Sequence, residues 1–195
     1  MARRWVSPSG NLYASTIVRL RENDPPAPTL AFVVAVALHD AASALAPGVA
    51  LRLKWPNDLL AGPRSAKVAG ILLERQQDAV IAGVGMNLAT HPEDLGRETT
   101  DLTALGHVIS AETLCTRLAT AFSAWRETWA RLGFAPVRAA WLALAHPVGT
   151  ALSVRQQEGA SIDGVFDGLE SDGALRLRLA DGDVRVIHAG DVFLV

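Results

Sequence analysis

Residues 51–88, LRLKWPNDLLAGPRSAKVAGILLERQQDAVIAGVGMNL, decide the fold because they contain short apolar runs separated by tight polar connections. Strands are predicted at residues 50–55, 68–75 and 79–88, since each run is rich in residues that favour extended backbone. A Pro-Asn-Asp turn and a Gly-Pro-Arg-Ser loop follow the first run, and Gln-Gln-Asp separates the other two. This spacing predicts a mixed or antiparallel sheet.

Helices flank this sheet in the sequence. Residues 11–20 predict a preceding strand, and the apolar run 29–46 predicts a helix that ends at Pro-Gly. After a polar, irregular stretch at 91–107, Ser110 is a suitable N-cap for a helix that ends at Gly133. Another helix is predicted at 136–145, and the tryptophans of these helices recur at helical spacing, which favours core positions. The pattern predicts an α+β domain with helices packed on a sheet.

The sequence changes character near Pro147. Beyond it, short alternating runs such as Leu-Arg-Leu-Arg-Leu at 175–179 are bounded by turn signals at 171–173 and 181–182. Five short strands in this stretch are typical of a small SH3-like β-barrel. We therefore predict a first domain over residues 1–147 and a second over residues 148–195.

Lysine usage points to one region of the chain. Of 18 basic residues, only Lys54 and Lys67 are lysines, and they lie 13 positions apart. Lysine carries a compact charge on a thin stem that fits a narrow site, whereas arginine presents a broad planar fork. Chance retention of two surface lysines is the alternative interpretation.

The residues beside these lysines suit phosphate chemistry. If strands 50–55 and 68–75 pair through the intervening loop, Asn57, Asp58 and Lys67 lie close together. A cation, an amide and a carboxylate together suit a site that handles phosphate and a divalent metal. Gly70, inside a strand, fits close approach of a ligand to the backbone. Taken singly, Pro-Asn-Asp is more simply a turn and Gly70 a bulge.

Composition excludes several classes of protein. A net charge of −2 argues against a general nucleic-acid binder, and the single cysteine excludes an intrachain disulfide and a cysteine-based zinc site. The longest apolar run, 30–38, is shorter than a membrane span requires, and no secretory signal opens the chain. The five histidines lack metal-ligand spacing. We expect a cytoplasmic protein without a membrane partner.

Read in order, these motifs resemble the biotin protein ligase family. The resemblance is carried by residues 54–58 (KWPND), 67–74 (KVAGILLE) and 83–88 (GVGMNL). Residues 3–13 resemble the end of the family's ligand loop, and segments at 164–170, 173–175 and 189–192 resemble its small C-terminal barrel. Lipoate ligases share the fold but lack the KWPND motif, so they rank lower.

The resemblance implies a two-step reaction that uses ATP, Mg²⁺ and biotin. Biotin and ATP would form biotinyl-5′-adenylate, and a lysine of a biotin carboxyl carrier domain of a carboxylase would then take the biotin. Lys67 and Asp58 are the implied catalytic residues, with Asp58 also the Mg²⁺ ligand. Lys54 would support the site. The implied substrate- and ATP-binding residues are Arg3, Trp5, Asn57, Lys67, Gly70, Gly85 and Asn87.

The start of the chain departs from the family pattern. The family's ligand loop reads Gly-Arg-Gly-Arg-x-Gly-Arg-x-Trp, of which Arg3 and Trp5 match the end, while Ala2 stands in the last glycine position. We therefore expect a truncated or misplaced start. A non-catalytic remnant, or a module that only binds the carrier, is the alternative. A homodimer is compatible with the sequence, and no sequence-specific DNA binding is expected.

Overall fold

The computed structural model describes residues 7–93, 97–155 and 161–195. Within these ranges the chain forms ten β-strands in two five-stranded sheets, with three α-helices. The elements are β1 (Leu12–Arg19), α1 (Leu30–Leu45), β2 (Leu51–Lys54), β3 (Asp58–Ala61), β4 (Ala66–Gln76), β5 (Ala79–Met86), α2 (Ala111–Leu132), α3 (Phe134–Leu144), β6 (Ala151–Arg155), β7 (Ser161–Leu169), β8 (Leu175–Arg178), β9 (Val184–Ile187) and β10 (Asp191–Leu194).

The first sheet has the strand order β1-β5-β4-β3-β2, and every neighbouring pair is antiparallel. The predicted direct pairing of strand 50–55 with strand 68–75 is wrong, because β3 lies between them. All four residues of β3 are buried. The last residue of the Pro-Asn-Asp turn and the apolar residues after it therefore form a strand inside the sheet. Asp58 and Lys67 nevertheless lie close together, as expected, and form an ion pair.

The helices cover one face of this sheet. Helix α1 is long and apolar enough to cross a membrane by length and composition, yet ten of its residues are buried in the protein core. It contacts α2 and α3 on one side and strands β2 and β4 on the other. A helix enclosed in this way is apolar around most of its circumference, which explains the unbroken hydrophobic run.

Helix α2 begins and ends where the sequence predicts. The Ser110 side chain accepts a hydrogen bond from the Thr113 backbone N–H, and Gly133 follows the last turn with a φ of 81°. Trp129 and Trp141 are buried, which confirms the core prediction for both. The next helix begins at Phe134 rather than at Pro136, so the proline lies within its first turn, where it costs no helical hydrogen bond.

The second sheet consists of the five predicted C-terminal strands, in the order β10-β6-β7-β8-β9. All neighbouring pairs are antiparallel, and a bulge interrupts β7 between Phe166 and Leu169. In the described parts of the chain the edge strands β9 and β10 do not pair, so the barrel is open. The α+β fold with a small SH3-like module is confirmed; the boundary at residue 147 stays a prediction.

Two hydrogen bonds join the modules at the KWPND motif. The Trp55 indole N–H donates to the Gly173 carbonyl at 3.0 Å, and the Lys54 ammonium donates to the Val192 carbonyl at 2.8 Å. Gly173 also lies against the Phe32 ring, where a Cβ atom would come within 2.7 Å of a ring carbon. The second sheet therefore packs directly on the segment that carries the motif.

We expect Trp55→Phe to lower the free energy of unfolding by about 1–3 kcal/mol, because it leaves the buried Gly173 carbonyl without its donor. Trp125→Phe is the matched control, since its indole N–H donates to Asp40 in an exposed position where water can replace it. Urea unfolding of both variants measures the difference. An equal decrease in the free energy of unfolding for both variants would show that the contact between the two sheets does not depend on this hydrogen bond.

Candidate active site

One row of residues crosses the whole first sheet. Antiparallel pairing places Lys54 opposite Asp58, Asp58 opposite Gly70, Gly70 opposite Gly85, and Gly85 opposite Tyr13. Directly paired residues share a face of the sheet, so charged side chains stand at one end of the row and an aromatic ring at the other. The two central glycines carry no side chain on this face, so a ligand can approach the backbone there, and we call this part of the row the glycine trough.

Three cations surround one carboxylate at the charged end of the trough. Asp58 is buried, and one of its carboxylate oxygens, Oδ1, contacts the Lys67 ammonium. The other, Oδ2, lies 3.2 Å from Lys54 Nζ and 3.4 Å from a guanidinium nitrogen of Arg97. We call Lys54, Asp58, Lys67 and Arg97 the cation cluster. With one carboxylate against three cations, the cluster carries a formal excess of two positive charges.

The surroundings keep Asp58 ionised. Burial alone would raise the pKa of this carboxyl, but the charges of Lys67 and Lys54 outweigh burial and hold it below its usual value. Burial lowers the pKa of the Lys67 ammonium, and Asp58 opposes that effect, while Arg97 and Lys54 add to it. A lysine surrounded by other cations gains from the arrival of an anion.

Backbone hydrogen bonds hold Lys67 in place. Its N–H donates to the Glu98 carbonyl at 2.9 Å, and its own carbonyl accepts from the Thr100 N–H at 3.0 Å. The segment after residue 97 therefore lies along the start of β4, at the mouth of the cluster. A Cβ atom on Gly70 would stand 3.0 Å from Lys67 Nζ, so the absence of a side chain there lets the ammonium reach across the strand.

The two predicted asparagines make hydrogen bonds away from the cluster. The Asn57 side-chain amide donates to the Ile71 carbonyl at 2.7 Å, and its backbone carbonyl accepts from the Ile71 N–H, which fixes the turn before β3. The Asn87 amide donates to the Thr100 carbonyl at 3.0 Å. Asn87 thus holds the same segment that runs beside Lys67.

The structure brings together Asp58, Lys67, Gly70 and Lys54, with Gly85 next to Gly70 in the row. Arg3 and Trp5 lie outside the described residues. Arg97 also belongs to the cluster, although no motif in the sequence indicates it. It lies in an irregular stretch ten positions after Asn87, and only the pairing of residue 99 with Lys67 brings it to the site. No local pattern signals that pairing.

Comparison with known proteins gives one family. Residues 1–90 match the Biotin/lipoate A/B protein ligase family, and residues 153–195 match the Biotin protein ligase C terminal domain. A biotin–[acetyl-CoA-carboxylase] ligase of Paracoccus denitrificans is 39% identical over 98% of this chain and 83% of its own length. The bifunctional ligase/repressor BirA of Bacillus spizizenii is 29% identical over the whole chain but only 62% of its own length.

A solved structure shows the same fold. The biotin protein ligase of Aquifex aeolicus, in complex with biotin and ATP, superposes with a TM-score of 0.85 over 99% of this chain and 82% of that chain, at 21% identity. The Paracoccus ligase supplies the sequence evidence, since the identity is high and extends over most of both proteins. On the strength of that match, this chain belongs to the biotin protein ligase family.

Proposed function

We propose that the chain is an ATP-dependent biotin protein ligase. It forms biotinyl-5′-AMP and transfers the biotin to a lysine of the biotin carboxyl carrier domain of a carboxylase. The observation that carries the proposal is the cation cluster at one end of the glycine trough. Backbone without side chains suits the close approach of an uncharged ring system, and the cluster suits the carboxylate and phosphate groups that must meet beside it.

The first step joins two anions. A biotin carboxylate oxygen attacks the α-phosphorus of ATP, and the bond from that phosphorus to the leaving pyrophosphate breaks. Negative charge builds on the phosphoryl oxygens, and a cation fixed there lowers the barrier. Lys67 is the group for this role, because its ammonium stands at the trough and its backbone is held on both sides. It binds the carboxylate and the α-phosphate together.

The second step transfers the acyl group. The carrier lysine amine attacks the acyl carbon of the mixed anhydride, the bond from that carbon to the phosphate oxygen breaks, AMP leaves, and the proton lost by the amine passes to solvent. Asp58 remains ionised, since its cationic neighbours hold its pKa below the usual value. An ionised carboxylate accepts hydrogen bonds from an incoming ammonium or amine and so orients it. Asn87 and Gly85 would bind the nucleotide and biotin beside this group.

Magnesium is best treated as part of the nucleotide. Within residues 7–93, 97–155 and 161–195, no group of three or more His, Cys, Asp or Glu residues comes together. Asp58 faces three cations, which disfavours it as the ligand of a protein-held ion. The residues present therefore do not fit a resident Mg²⁺ site, and the ion would enter with the phosphates of Mg-ATP. Asp58 as a Mg²⁺ ligand stays a prediction.

The remaining partner predictions follow from the proposed activity. The carrier domain is the macromolecular substrate, and a cytoplasmic location fits an enzyme that uses ATP and modifies a carboxylase. Formation of a homodimer stays a prediction, as does the expected lack of binding to nucleic acid and to membranes.

The decisive experiment is an intact-mass measurement on an unbiotinylated carrier domain incubated with biotin, Mg-ATP and the 195-residue chain. We expect the carrier to gain the mass of one biotinyl group, and a carrier whose target lysine is replaced by arginine to gain nothing. Lipoate in place of biotin should give no product. Binding of the carrier without any mass gain would favour the non-catalytic module instead.

A further inference from the structure

Arg97 is the cation of the cluster that the family motifs do not include. Its guanidinium lies 3.4 Å from Asp58 Oδ2, and its side chain is 30% exposed, against 12% for Lys54 and 19% for Lys67. It is therefore the outermost of the three cations. The contact is a hydrogen bond of 3.4 Å, and a phosphate group that reaches the mouth of the site can take the place of the carboxylate as the acceptor.

The positive charge of the cluster exceeds what Asp58 can neutralise. Lys67 already contacts one carboxylate oxygen, and Lys54 and Arg97 share the other. Lys54 is also tied to the Val192 carbonyl at 2.8 Å, which fixes it on the inner side. The Asp58–Arg97 contact is the longest of the set and involves its most exposed cation, so an anion arriving from solvent meets Arg97 first.

The backbone beside Arg97 is well anchored. Glu98 accepts from the Lys67 N–H, Thr100 donates to the Lys67 carbonyl, and the Thr100 carbonyl accepts from the Asn87 side chain. Asp101, which is buried, accepts from the Ala104 N–H at 2.7 Å. Arg97 therefore extends from the end of a segment that is fixed to both Lys67 and Asn87.

We propose that Arg97 is a phosphate-binding residue of this site, which leaves Asp58 and holds the polyphosphate of the nucleotide when it enters. The inference rests on the proposed function and adds a residue to it. A guanidinium can donate two parallel hydrogen bonds to adjacent phosphate oxygens, a geometry that an ammonium does not provide. Its position outside Lys67 suits the part of the nucleotide that leaves as pyrophosphate, while Lys67 serves the α-phosphate.

The test compares Arg97→Ala and Arg97→Lys with Arg64→Ala. Arg64 is a suitable control because it pairs with Glu98 on the same segment at 3.8 Å but is 82% exposed. In steady-state assays of adenylate formation we expect Arg97→Ala to lower kcat/KM for Mg-ATP by roughly 100-fold. The KM for biotin should change little, Arg97→Lys should recover only part of the loss, and Arg64→Ala should match the parent chain.

Calorimetric titration with inorganic pyrophosphate separates this proposal from the ligase assignment. Arg97→Ala should weaken pyrophosphate binding by about tenfold or more, as expected on loss of a charge-assisted contact, whether or not the chain labels a carrier. Unchanged pyrophosphate affinity and unchanged kcat/KM for Mg-ATP in a folded Arg97→Ala chain would overturn the proposal. Equal reductions in pyrophosphate affinity and in kcat/KM for Arg97→Ala and Arg64→Ala would also overturn it, because they would indicate only a general effect of surface charge.

Discussion

Replacing Lys67 with alanine should reduce the rate of adenylate formation by roughly 100- to 1,000-fold while the chain stays folded. In the proposed mechanism the loss follows because the Lys67 ammonium, at the end of the glycine trough, stabilises charge on the phosphoryl oxygens. Folding should survive, because Asp58 keeps Lys54 and Arg97 as counter-charges. Pyrophosphate release in the presence of biotin and Mg-ATP measures the step, and thermal unfolding checks the fold.

Two further variants make this test specific. Lys67→Arg should also form the adenylate slowly, because a broad planar guanidinium does not replace a compact ammonium in a packed site. Arg75→Ala removes an exposed cation from the same strand and should leave the rate unchanged. Near-normal adenylate synthesis by Lys67→Ala would contradict the assigned role.

Replacing Gly70 with alanine should lower the activity nearly as much as replacing Lys67 does. In Gly70→Ala the new Cβ stands 3.0 Å from Lys67 Nζ and 3.2 Å from its Cε, so the end of that side chain must move. The tip of a lysine moves easily, and the fold should hold, but a displacement of about 1 Å in a positioned group can cost up to 100-fold in rate. We expect a 10- to 100-fold loss in kcat/KM for biotin.

Gly83→Ala is the control for this variant. Gly83 lies on the same face of the sheet, two positions from Gly85, but its Cβ would meet its nearest neighbours, the Leu72 carbonyl oxygen and Ser15 Oγ, at 3.7 Å, an ordinary contact. Both alanine variants should unfold at similar denaturant concentrations, and only Gly70→Ala should lose activity. Equal activity of the two would show that the trough is wide enough for a side chain beside Lys67.

The elements that the sequence predicts correctly are those with a strong local signal. The boundaries of α2 follow from Ser110, which caps its N-terminus, and from Gly133, which ends it. The strands that the sequence predicts follow from apolar runs between turns. The sequence does not predict strand β3, because it consists of the last residue of the Pro-Asn-Asp turn and three apolar residues, too few to show a period. Its insertion still brings Asp58 opposite Gly70, because Asp58 belongs to β3 and β3 pairs directly with β4.

For the candidate site, the sequence predicts the cluster members that lie in motifs and does not predict Arg97, which lies outside them. Lys67 and Asp58 stand out because lysine is rare in this chain and both lie in distinctive motifs. Arg97 is one of sixteen arginines in the chain, and only tertiary pairing of its segment with Lys67 distinguishes it. Likewise, nothing near Lys54 in the sequence indicates that its ammonium donates to the Val192 carbonyl. Contacts between distant segments depend on the fold as a whole.

The hydrogen bond from Lys54 to Val192 has a consequence for how the protein is made. Its partners are 138 positions apart, so a nascent chain that has already produced both lysines and Asp58 still lacks the acceptor for one of them. Chains fold progressively as they are synthesised, and contacts between distant segments form last. Lys54 therefore gains its second partner, beside Asp58, only when strand β10 has been translated and has docked on the first sheet.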